Sequence, residues 1–138
     1  PKVGSFDAGW GTEYLARTVG EKRAREIWFF CQQYTAQQAL NWGLVNKVVP
    51  ADKLQEEARA MAQHAVALSP GALRFLKHSF NADSAAIFGQ AKMAGDGLAM
   101  FVKSEEAREG NTAFNEKRAP DFSAYRVGSA MTGIVKRK

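Results

Sequence analysis

At 138 residues the chain has the length of one ordinary domain, and 46% hydrophobic with 24% charged residues is a globular rather than a disordered composition. Of the formal charge of +5, Lys136, Arg137 and Lys138 carry three, leaving 16 cationic against 14 anionic side chains, and no basic stripe interleaved with aromatics points to nucleic acid. No apolar run exceeds five residues, as in Ile27 to Cys31, against roughly 20 for a membrane span, and Pro1-Lys2-Val3-Gly4 has no signal-peptide pattern.

The loop Gly4-Ser5-Phe6-Asp7-Ala8-Gly9-Trp10-Gly11-Thr12 holds three glycines in nine residues, the mark of tight turns or close backbone approach. Thr12 is placed to cap a first helix with Tyr14, Leu15 and Val19 on its apolar side and Gly20 as its stop. A second helix covers Glu21 to Cys31. The one cysteine excludes an internal disulfide, suits a reducing compartment, and reads as a buried structural thiol within Trp28-Phe29-Phe30-Cys31.

Thr35 and Gln38 form a capping box for a third helix that Gly43 ends. Leu44-Val45-Asn46-Lys47-Val48-Val49, β-branched and bounded by Gly43 and Pro50, predicts one short strand, which requires a pairing partner from elsewhere. Asp52 and Gln55 repeat the capping-box spacing before a helix whose Leu54, Ala58, Met61, Ala65 and Leu68 share one face. Ser69-Pro70 starts the next helix, with Leu73, Leu76 and Phe80 as its buried stripe. Residues 84–117 read as mostly helical, with Gly89, Gly95, Gly97 and Gly110 weakening or interrupting them, until Pro120 closes the pattern. Residues 1–126 form one unit, followed by a basic tail over 127–138 that is a candidate for disorder.

One cysteine and two separated histidines, His64 and His78, cannot close a metal site, and no Gly-x-Ser-x-Gly elbow occurs. Two segments carry candidate chemistry. If the glycine loop is extended, Ser5 and Asp7 point the same way, a hydroxyl beside a carboxylate that can hold an oxyanion or move a proton; alternatively Asp7 caps the turn into the first helix. Phe114-Asn115-Glu116-Lys117-Arg118 sets a ring and two cations at a helix end, where ligand binding and dipole complementarity explain them equally.

The same glycine loop, followed by Tyr14-Leu15-Ala16-Arg17-Thr18-Val19-Gly20 and Ala24-Arg25-Glu26-Ile27-Trp28, resembles the 1,4-dihydroxy-2-naphthoyl-CoA synthases of menaquinone biosynthesis, within the crotonase (enoyl-CoA hydratase/isomerase) superfamily. Ala36-Gln37-Gln38-Ala39-Leu40, Gly43-Leu44-Val45-Asn46, Ser69-Pro70, Phe80-Asn81-Ala82-Asp83, Glu106-Ala107-Arg108-Glu109-Gly110 and Phe114-Asn115-Glu116-Lys117-Arg118 continue the likeness over about residues 1 to 126. The resemblance implies the mostly helical C-terminal part of a crotonase-like (ClpP/crotonase α/β) fold, a cytoplasmic lyase, and an intramolecular Claisen condensation of o-succinylbenzoyl-CoA. It implies that Ser5 hydrogen-bonds the succinyl carboxylate or developing oxyanion, that Asp7 transfers a proton, and that Phe114 and Lys117 reach the CoA moiety, often from a neighbouring subunit. The implied partners are the acyl-CoA substrate and copies of the chain, as a trimer or hexamer. No cofactor is tightly bound, although bicarbonate serves as the base in some synthases, with its site largely upstream of Pro1.

Three departures accompany the likeness. Pro1-Lys2 lacks the glutamate that follows a proline in crotonase hydratases, which speaks against hydration. Val102 stands where the synthases have a tyrosine, and a side chain without a hydroxyl cannot polarise a carbonyl. In crotonases the oxyanion-hole amides and much of the CoA pocket lie in the N-terminal half, which would precede Pro1. Alternatives are therefore a 2-ketocyclohexanecarboxyl-CoA hydrolase, which shares a Gly-Ser-x-Asp loop, and a non-catalytic oligomerising module. Loss of an oxyanion hole alone costs roughly 3 kcal/mol or more. Purified residues 1–138 are accordingly expected to be inactive on o-succinylbenzoyl-CoA, and appreciable ring closure in a product assay would refute this.

Overall fold

The computed structural model describes residues 1–126, so the tail lies outside the described residues. Among the described residues the helices in chain order are α1 (Trp10–Val19), α2 (Glu21–Phe30), α3 (Ala36–Asn41), α4 (Leu54–Val66), α5 (Pro70–Asp83), α6 (Ile87–Phe101) and α7 (Glu105–Asn115). They divide into two compact units, Pro1–Gln32 with the chain from Gly89 onward, and Gln33–Phe88. No strand is present among the described residues. The predicted strand at Leu44–Val49 is corrected: the segment runs as bend and coil, because no other segment among the described residues offers it a hydrogen-bonding edge.

In the first unit, α1 begins two residues before Thr12. Asp7 accepts from the backbone N–H of Gly9 at 3.0 Å and of Gly11 at 3.1 Å, doing the work expected of Thr12. The Thr12 hydroxyl instead donates back to the Gly9 carbonyl at 3.2 Å. Gly20 stops α1 at φ +81°, and α1 and α2 pack against each other with Ala24 buried between their neighbours. α6 runs unbroken through Gly89, Gly95 and Gly97, so these glycines do not interrupt it. The break falls at Val102–Ser104, where the Ser104 hydroxyl accepts from Ala107 N at 3.1 Å and caps α7.

The N-terminal segment lies directly on α7. A Cβ at Gly4 would sit 2.6 Å from the Ala107 carbonyl oxygen, and one at Gly110 would meet the backbone of Gly4 and Val3. Gly4 also adopts φ +66°. Ala107 and Ala113 are buried on the same helix, so a face of small residues lets two backbones touch.

α7 ends in a Schellman motif, with Arg118 N bonded to Ala113 O at 3.0 Å and Lys117 N to Phe114 O at 3.2 Å. The Arg118 guanidinium grips both carboxylate oxygens of Glu109, at 2.6 and 2.9 Å, and Glu109 also accepts from Asp121 N at 2.8 Å. The Arg118 bond first, and the Asp121 N–H second, pull the Glu109 carboxyl down to about 2. Arg118 is raised in turn, chiefly by Glu109 and then Glu116. The Asp121 carboxyl is lowered by the backbone N–H and then the hydroxyl of Ser123.

In the second unit the capping box of Thr35 and Gln38 forms, with Gln38 N to Thr35 Oγ1 at 3.2 Å and Thr35 N to Gln38 Oε1 at 2.9 Å. The Ser69 hydroxyl caps α5, accepting from Ala72 N at 3.3 Å ahead of Pro70 at the first turn. The Asp52–Gln55 box does not form: Ala51–Lys53 is a short 3-10 turn leading into α4, whose start carries no side-chain cap. The apolar faces of α4 and α5 exist but are not buried, with Leu76 56% and Phe80 77% exposed. Periodicity marks a face as apolar without saying what covers it.

Gly110→Ala is expected to lower stability by about 1–3 kcal/mol through overpacking against Gly4, read as a lower unfolding midpoint in urea. Glu109 is depressed on folding, so its contribution is present above its ordinary 4.5 and is lost as pH falls through that value toward about 2. The difference in melting temperature between the native chain and Glu109→Gln should therefore shrink over that window.

Candidate functional site

The site residues belong to the first unit. A cleft of about 510 Å³ lies between the N-terminal segment and α7, lined by Val3, Gly4 and Ser5 on one side and Val102, Ala107, Arg108, Asn111 and Phe114 on the other. A second cleft of about 500 Å³ runs from Pro1 and Lys2 past Ser5, Phe6 and Asp7 to Leu15, Ile27, Trp28, Cys31 and Gln32. Ser5 is common to both. Its position follows from the contact beneath it, since Gly4 is pressed onto Ala107 and Gly110 and Ser5 is the next residue. On the other side Phe6 packs against Phe101, with ring centroids 5.5 Å apart.

Ser5 and Asp7 line the second cleft together with Phe6, the residue between them. Their hydrogen bonding differs. Among the described residues the Ser5 hydroxyl has no side-chain partner, whereas each Asp7 oxygen already accepts one backbone N–H. An ionised carboxylate has about four acceptor positions, so Asp7 holds the loop and keeps acceptor capacity toward the cleft. The loop is pinned further by Gln90 on α6, which donates to the Ala8 carbonyl at 3.3 Å and to Glu13 at 3.2 Å.

Phe114 is 67% exposed and lines the first cleft. Lys117 does not line it; it follows Phe114 at the helix stop, with φ +57°. Val102 lines the same cleft as Ser5 and Phe114.

Sequence reading missed several members of the site. Arg108 and Asn111 share the cleft with Phe114 at steps of three, a helical spacing that points them the same way. Arg108 is paired to Glu105 at 2.7 Å. Trp28, which belongs both to the apolar run and to the Ala24-Arg25-Glu26-Ile27-Trp28 motif, has its indole N–H buried without a partner among the described residues at the wall of the second cleft. Cys31 is partly exposed and lines that cleft, which corrects its assignment to a buried core. Among the described residues no cluster of His, Cys, Asp and Glu could hold a metal, and no helix is long and apolar enough to cross a membrane.

Residues 1–125 match the family model described as enoyl-CoA hydratase/isomerase. The fold superposes on a carnitinyl-CoA hydratase from Mycobacterium avium with a TM-score of 0.80 and 30% identity, covering 89% of this chain and 49% of that one. An enoyl-CoA hydratase/isomerase from Pseudoalteromonas atlantica T6c gives 0.77 and 28% over 88% and 49%. A methylmalonyl-CoA decarboxylase gives 0.70 and 28% over 88% and 48%. The chain thus spans about half the length of these structures.

Proposed function

The chain belongs to the enoyl-CoA hydratase/isomerase family, the crotonases, and from that premise we propose that it forms the helical C-terminal part of an acyl-CoA lyase that closes a ring by intramolecular Claisen condensation. The substrate proposed is o-succinylbenzoyl-CoA or a close relative, with 1,4-dihydroxy-2-naphthoyl-CoA as product and a place in menaquinone biosynthesis. The observation that carries this reading is Ser5, whose hydroxyl has no side-chain partner among the described residues and which with Val3 lines both clefts, with Asp7 on one of them.

The chemistry asks for a proton to leave the carbon beside a carbonyl, for that carbon to attack a second carbonyl, and for water to depart. Ser5 would donate to the substrate's free carboxylate or to the oxyanion formed on attack. Asp7, its orientation fixed by the N–H groups of Gly9 and Gly11, would move a proton to or from the reacting carbon or oxygen. Phe114 would lie along the apolar part of the CoA arm, and Lys117 would meet a phosphate. Bicarbonate, where used, would supply a base; the unpartnered N–H of Trp28 is a donor of the kind a small oxyanion satisfies. The exposed apolar faces of α4 and α5 support burial against further protein, in keeping with a homo-oligomer.

Val102 favours a second reading, hydrolysis of a cyclic β-keto thioester such as 2-ketocyclohexanecarboxyl-CoA, because attack by water does not require a hydroxyl at that wall. Assay of the full-length protein with o-succinylbenzoyl-CoA and with the cyclic thioester separates the two by product. The condensation reading expects naphthoyl-CoA, and a loss of about 10²- to 10³-fold in kcat for Ser5→Ala. Ring-opened product alone, or unchanged turnover by Ser5→Ala, would overturn it.

A further inference from the structure

The turn that ends α7 carries more polar fixation than a helix stop requires. Lys117 occupies the left-handed region at φ +57°, a position usually given to glycine. The residues on either side of it are tied down. Arg118 donates to both oxygens of Glu109 at 2.6 and 2.9 Å and to Glu116 at 2.7 Å. Glu109 also holds Asp121 N at 2.8 Å, so one carboxylate on the body of α7 anchors the chain beyond the turn. Lys117 itself is exposed, and its ammonium has no ion-pair partner among the described residues.

A two-pronged guanidinium–carboxylate contact fixes orientation as well as distance, which a single ammonium contact does not. Phe114, three residues before Lys117, is a wall of the first cleft, so holding the turn also holds the lysine's point of departure relative to that cleft. We propose that Glu109 and Arg118 are positioning residues for Lys117, presetting its left-handed turn so that the ammonium meets the phosphates of a CoA ligand whose apolar arm lies against Phe114. The inference rests on the reading of Phe114 and Lys117 as CoA contacts. Neither Glu109 nor Arg118 touches the ligand; their effect is to remove the ordering cost that a free lysine turn would meet on binding.

Calorimetric titration of the full-length protein with CoA, and with pantetheine as a ligand lacking the phosphates, tests this. Glu109→Gln should weaken CoA binding about fivefold and leave pantetheine unchanged. Arg118→Lys, which keeps the charge but loses the fork, should weaken CoA by less, and it serves if Glu109→Gln does not fold. In the Lys117→Ala background Glu109→Gln should have no further effect, since both act through one contact. If Lys117→Ala leaves CoA affinity intact, the reading of Lys117 fails and the positioning role fails with it. If Lys117→Ala weakens CoA but Glu109→Gln does not, or adds its full effect to the double variant, Lys117 stands and the positioning role is overturned. Equal weakening of pantetheine and CoA would also overturn it, marking a general structural defect.

Discussion

The contact between the backbone of Val3 and Gly4 and the face of α7 made by Ala107 and Gly110 is the constraint from which the site follows. Two backbones approach so closely only where neither carries a side chain in between, and here both sides meet that condition. The consequence is positional. With Gly4 seated at φ +66°, Ser5 is brought opposite Phe114 and Val102, and one cleft becomes two that share a hydroxyl.

Polar anchors then stiffen what the glycine contact places. Asp7 gathers the free N–H groups at the start of α1, Gln90 ties the loop to α6, and the Phe6 and Phe101 rings close the gap between them. Gly4 N, Gly9 N, Gly11 N and the Ala8 and Gly9 carbonyls are engaged in this way, while the Ser5 hydroxyl has no side-chain partner among the described residues.

Much of this was legible from residue order alone. The capping box at Thr35–Gln38 and the Ser69 cap ahead of Pro70 are local, because cap and capped N–H lie within three residues, and both form. The box at Asp52–Gln55 has the same spacing and does not form, because a 3-10 turn takes up the chain there. Asp7 rather than Thr12 caps α1, a choice between two adjacent acceptors that depends on how the glycines bend the loop. The place of Trp28, Arg108 and Asn111 on cleft walls is not legible in sequence, because pattern treats a tryptophan in an apolar run as core and polar residues on a helix as solvent-facing.

The sequence by itself determined the helices from α1 to α5, several of their ends, the helical character of 84–117 and the family. Those are short-range properties, set by spacing, by caps and by residues that tolerate unusual backbone. Only the tertiary structure decided that Ser5 serves two clefts, that Asp7 is half spent on the backbone, and that Val102 and Phe114 share a wall with Ser5. It also decided that Leu44–Val49 pairs with no strand among the described residues and that the apolar stripes of α4 and α5 remain open. Each of these depends on which surfaces meet across long stretches of chain, and a periodic pattern records that a surface is apolar or polar without recording its partner.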